Sequence, residues 1–131
     1  MKRLSIVLSV IALIVMSAAA HAHIVKAPHG DGWVISDHSP NPMAANPYLE
    51  VSWSAEFNEY QKCRLVGDIR GLEFEKEFQA RQSKFDAIRD AMVAANASSG
   101  VVRVYLDGTH SVELYGKDRK AAELVEHYLS R

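Results

Sequence analysis

An α+β fold, a mostly antiparallel sheet of four to five strands with two helices on one face, is predicted by three features of this 131-residue chain. Apolar and polar residues alternate from Leu49 to Phe57 with the period of a half-buried strand. Between Phe74 and Ala95 the apolar period lengthens to that of a helix. Near the C-terminus, Asp107-Gly108 separates two short apolar runs, a hairpin signal, and a further amphipathic stretch follows. The implied order is β-β-α-β-β-α, with one more short strand ahead of it.

The first segment, residues 1–22, reads as an export signal. Lys2 and Arg3 form a basic start, Leu4 to Met16 an uncharged apolar run, and Ser17-Ala18-Ala19-Ala20-His21-Ala22 a small-residue cleavage region. The apolar stretch is shorter than the roughly 20 residues of a spanning helix, and polar Ser17 and His21 stand where a span would continue. Cleavage after Ala20 or Ala22 is therefore expected, giving a periplasmic or secreted protein with no membrane span.

Residues 23–47 read as an irregular arm. Pro28, Gly30, Gly32, Pro40, Pro42 and Pro47 leave room for one short strand, at Trp33-Val34-Ile35. A single domain is expected over residues 48–131. In its first hairpin, Leu49, Val51, Trp53, Ala55 and Phe57 point inward, Asn58 to Gln61 make the turn, and Cys63, Leu65, Gly67 and Ile69 share the inner face. Glu50 and Glu56 oppose Lys62, Arg64 and Arg70 on the outside, which suits cross-strand ion pairs.

The helix expected from Glu73 to about Asn96 carries Phe74, Phe78, Phe85, Ile88 and Met92 on one stripe. Glu73, Glu75 and Glu77 lie near its N-terminus, where negative charge complements the dipole, and Asn96 to Gly100 ends it. Val101 to Leu106 and Ser111 to Tyr115 form the second hairpin. The last helix starts at an Asp118 N-cap and presents Ala121, Ala122, Leu124, Val125, Tyr128 and Leu129 inward.

Charge and cysteine content narrow the function classes. Taking Lys2 and Arg3 from the 15 basic residues, against 16 acidic ones, leaves the processed chain at −3, which disfavours nucleic acid as a partner. Its length of about 109 residues suffices for one core but is marginal for two. Cys63 is the sole cysteine, so the core forms without an internal disulfide. Its strand position marks it as a small apolar core residue.

Catalytic signatures are missing: the sequence holds no Gly-x-Ser-x-Gly, phosphate-binding glycine loop, His-Glu-x-x-His or Cys-x-x-Cys. His110 and Asp107 flank the second hairpin's turn, where polar residues serve solubility. His127 lies one helical turn after Glu123 and reads as a surface residue. A hydrolase using His110 or His127 lacks a recognisable nucleophile, and no catalytic residue is assigned.

Four of the six histidines, His21, His23, His29 and His38, cluster near the processed end. Cleavage after Ala20 exposes His21-Ala22-His23, whose amine, two amides and third-position imidazole suit square-planar copper or nickel. Cleavage after Ala22 makes His23 the first residue, with His29 or His38 as a third ligand. That second arrangement resembles the N-terminal histidine brace of copper monooxygenases and some periplasmic copper carriers. The resemblance covers one residue and its position, and the scaffold of such enzymes is usually larger.

The leading expectation is a non-enzymatic binding module of the cell envelope, with an envelope or secreted protein as partner and no cofactor. Its recognition surface is expected on the outer sheet face, at Tyr48, Arg64, Arg70, Arg103 and Tyr105, because Arg and Tyr are enriched at interfaces. Copper or nickel binding by the histidine cluster is the alternative.

Overall fold

A computed structural model of the chain describes residues 23–28, 30–39 and 46–130. The export signal, His21 and His29 lie outside them. The elements are β1 (His23–Lys26), β2 (Gly32–Ser36), β3 (Tyr48–Ser54), β4 (Glu59–Val66), α1 (Phe74–Ala80), α2 (Gln82–Ala94), β5 (Ser99–Tyr105), β6 (His110–Tyr115) and α3 (Arg119–Leu129). The strands form one antiparallel sheet in the order β1-β2-β6-β5-β3-β4. The fold class is the α+β arrangement expected, with six strands and three helices among the described residues.

The strand beyond that expectation, β1, comes from the segment expected to be an arm, in which β2 coincides with the short strand expected at Trp33-Val34-Ile35. Prolines and glycines there punctuate strands rather than prevent them. β2 pairs along β6 from Gly32↔Tyr115 to Ser36↔Ser111, and β1 folds back on β2. Ile35 is fully buried in the core, so this segment is structural.

The strands' alternation directs one set of side chains to the helices. Leu49, Val51, Val102, Val104 and Val112 are fully buried and meet Phe85, Ile88, Met92 and Val125 from the helices. Each such side chain contributes about 1.5–3 kcal/mol through removal from water. Trp53 donates its indole N–H to the Ala97 carbonyl at 2.9 Å, anchoring the end of α2 to β3. Opposite Trp53 lies Gly100, where a Cβ would come within 2.3 Å of the Glu113 carbonyl oxygen.

Two helices replace the single one expected between Glu73 and Asn96. The break falls at Arg81, whose backbone (φ −116°, ψ 20°) leaves the helical region. Its guanidinium donates to the Glu77 carbonyl and the Leu106 carbonyl, both at 2.9 Å. The break leaves the aromatic stripe continuous: Phe74, Phe78 and Phe85 stack in sequence, with ring centroids 5.5 and 4.4 Å apart. Tyr60 meets Phe85 edge-on and donates its hydroxyl to the Phe85 carbonyl at 2.6 Å.

β3 and β4 slip by one residue. Glu50 pairs with Arg64 but Ser52 with Gln61, so Lys62 and Cys63 together oppose Val51, and Lys62 adopts a left-handed φ of 51°. This bulge lets Tyr60 and Leu65, five residues apart, both reach the helix-covered face. It also turns Cys63 to solvent, correcting its assignment to the core. β3 ends at Ser54, so Ala55 and Phe57 fall in the turn and Phe57 is exposed. The second hairpin turns at Gly108, with a φ of 90°, and Asp118 caps α3 through the Lys120 N–H at 2.8 Å, as expected.

Candidate functional site: the open sheet face

The alternation that buries Leu49 and Val104 sends Tyr48, Glu50, Arg103 and Tyr105 to the face that carries no helix among the described residues. Register then assembles them: Tyr48 lies opposite Tyr105, and Glu50 lies between Arg103 and Arg64. The Tyr48 and Tyr105 rings are 5.1 Å apart, and the Arg103 guanidinium carbon stands 6.0 Å from the Tyr48 ring centre.

Glu50 organises the two cations. One carboxylate oxygen accepts from Arg64 Nε at 2.8 Å and lies 2.7 Å from its Nη2 in an ion pair, and the other accepts from Arg103 Nε at 2.9 Å. Burial alone would raise the Glu50 pKa, but the bonds from Arg64 and Arg103 outweigh it and hold the carboxyl below its ordinary value. Glu50 thus holds both guanidiniums in place on the face. Glu113 of β6, across from Val101, borders this donor-rich patch.

Four of the five residues expected at the surface, Tyr48, Arg64, Arg103 and Tyr105, are therefore neighbours. Arg70 is not. It follows the last strand of the first hairpin and forms its own two-bond pair with Asp68 at 3.0 and 2.9 Å.

A second polar cluster flanks the patch where the chain leaves β2. The His38 ring lies flat on Tyr105, with centroids 3.4 Å apart and planes 1° from parallel. Its Nδ1 is 2.6 Å from Thr109 Oγ1, which itself donates to Asp107 at 2.5 Å. His110 departs from its reading as a polar hairpin tip. It is buried, and its neighbour is Asp37 (Nδ1 to Oδ1, 3.3 Å) rather than Asp107. Asp37 also lies 3.9 Å from Lys84 Nζ. Burial and the Lys84 charge push His110 down to about 4, against the pull of Asp37. Nothing local in the sequence announces this cluster, because Asp37 and His110 are 73 residues apart.

The histidines considered as metal ligands are not gathered among the described residues. His23 is exposed on β1 opposite Ser36, whereas the His38 ring is occupied by Tyr105 and Thr109. No group of three His, Cys, Asp or Glu side chains is arranged to hold a metal ion among the described residues. His127 is exposed on α3 against Tyr128, and Glu123 pairs with Arg119 at 3.3 Å. No helix of the described residues is long and apolar enough to cross a membrane. Comparison with known protein families, curated proteins and solved structures finds no match to this chain.

Proposed function

We propose that the chain is an exported, non-enzymatic binding module of the cell envelope whose open sheet face receives an acidic segment of a partner protein. The observation that carries this reading is the contiguity of Tyr48, Arg64, Arg103 and Tyr105 around Glu50. Arg103 commits only its Nε to Glu50, so its terminal nitrogens supply fork-like donors suited to a carboxylate. The two tyrosines add rigid contact area at low entropic cost. Residues 1–22 supply the export address and the cleavage region.

Selection from a displayed library of random peptides at pH 7 tests the partner chemistry. Enrichment of Asp- and Glu-bearing sequences, with binding reduced at least tenfold in Arg103→Met and weakened by salt, supports the reading. Enrichment indifferent to Arg103→Met, or without acidic residues, overturns it. N-terminal sequencing of the exported protein tests the address: a start at His21 or His23 agrees with it, and a retained Met1 contradicts it.

A further inference from the structure

Three buried ring nitrogens lack a hydrogen-bond partner: His38 Nε2 and both nitrogens of His110. Leaving a buried polar group unmet costs about 1–3 kcal/mol, so other contacts must hold the chain here. The Asp37 N–H donates to the His110 carbonyl at 3.2 Å, and the His110 N–H returns to Asp37 Oδ1 at 2.7 Å. Ser36 Oγ donates to the same carbonyl at 3.2 Å and accepts from the His38 N–H at 3.1 Å. Thr109 Oγ1 spends its proton on Asp107, so it accepts from His38 Nδ1–H, leaving Nε2 as the bare nitrogen.

We propose that Ser36–His38 is an acid-released strap, which detaches from β6 when His110 takes up a proton and lifts the His38 ring from Tyr105. The charges around His110 explain the direction. Asp37 faces it from the strap, and Lys84, on α2, already shares that carboxylate. Farther out, Arg81 at the α1–α2 junction is paired with Glu77 of α1. Asp107 on the β5–β6 turn serves Thr109 and lies 3.8 Å from His38. A proton on His110 would thus set two cations on one carboxylate in a buried setting, whereas the released ring is hydrated.

The closed ring titrates at about 4 and an exposed one at 6.5. The opening constant therefore rises on the order of 100-fold between pH 7 and pH 4. That lifting the His38 ring uncovers Tyr105 for a partner rests on the open face being the recognition surface, but the opening itself does not.

Amide exchange followed by NMR on the processed protein tests the strap without any partner. Protection factors, corrected for the intrinsic pH dependence of exchange, are expected to fall about 100-fold at Asp37, His38 and His110 between pH 7 and pH 4. Val102, Val104 and Val112 stay protected, and the Tyr105 ring shifts move as His38 leaves. His110→Gln abolishes the acid response. Lys84→Met frees Asp37 for the imidazolium and shrinks it, a second measure should His110→Gln fail to fold. Unchanged protection down to pH 4, a simultaneous loss at every amide, or an undiminished response in Lys84→Met overturns the proposal. Peptide selection at pH 7 is independent of this result, so failure of the strap and failure of the binding surface are separable.

Discussion

Replacing Glu50 by glutamine keeps the side chain's shape and removes the charge on which two arginines converge. The Glu50 side chain is 15% exposed, that of Arg103 26% and that of Arg64 65%. Breaking a buried pair from one side costs about 3–5 kcal/mol, and losing an exposed pair about 0–1 kcal/mol. The Arg103 contact lies between these limits, at about 1.5 kcal/mol, and the screened Arg64 contact adds at most about 0.5 kcal/mol. The expected loss is about 2 kcal/mol at pH 7, which moves the urea midpoint by roughly 1 M.

The pH dependence has a definite sign. A carboxyl held below its ordinary value stabilises above that value, and its contribution disappears as the pH falls through the lower folded one. The difference between the parent protein and Glu50→Gln should therefore be full at pH 7 and shrink below about pH 4. Urea unfolding at several pH values, combined with a Glu50→Gln and Arg103→Met double-mutant cycle, measures both. A loss under about 0.5 kcal/mol at pH 7, or additivity of the two substitutions within about 0.3 kcal/mol, would refute the coupling.

Phe85→Ala removes the ring that joins the Phe78 stack to Tyr60 and should cost about 3–5 kcal/mol in urea unfolding; a cost below about 1 kcal/mol would contradict its central place. Native protein should bind one equivalent of a thiol reagent at Cys63 without denaturant, and partial desolvation by its neighbours, which pushes this exposed thiol up, makes the rate climb past the usual thiol pH range. Labelling only after unfolding would contradict the orientation given by the bulge.

Local patterns carried much of the fold. The strand alternation, the turn at Gly108 and the Asp118 cap are short-range signals that produced the expected elements, and the phenylalanine stripe produced helix, in two pieces rather than one. The departures share a non-local cause. Arg81 breaks a helix without proline or glycine because its guanidinium reaches Leu106, 25 residues away. Lys62 takes a left-handed conformation that its residue type does not announce, which turns Cys63 outward while Leu65 keeps its inward place. β2 was legible as the short strand at Trp33-Val34-Ile35, but β1 was hidden by its composition, since it is held by β2, which in turn pairs with β6 at the other end of the chain. At the candidate surface, strand parity was enough to place Tyr48, Arg103 and Tyr105 on one side. Arg70 failed because parity has no meaning past the end of β4.

The slip between β3 and β4 has a further consequence for solubility. Among the described residues the sheet ends in two strands, β1 and β4, each paired on one side only, and a free strand edge is a template for sheet growth between molecules. On β4 the added residue interrupts the regular spacing of backbone donors and acceptors, and exposed Lys62 and Arg64 place positive charge along that border. β1 is four residues long and ends in exposed Lys26. Both borders thus resist intermolecular strand addition, and the protein can present a flat aromatic surface without seeding aggregation from its edges.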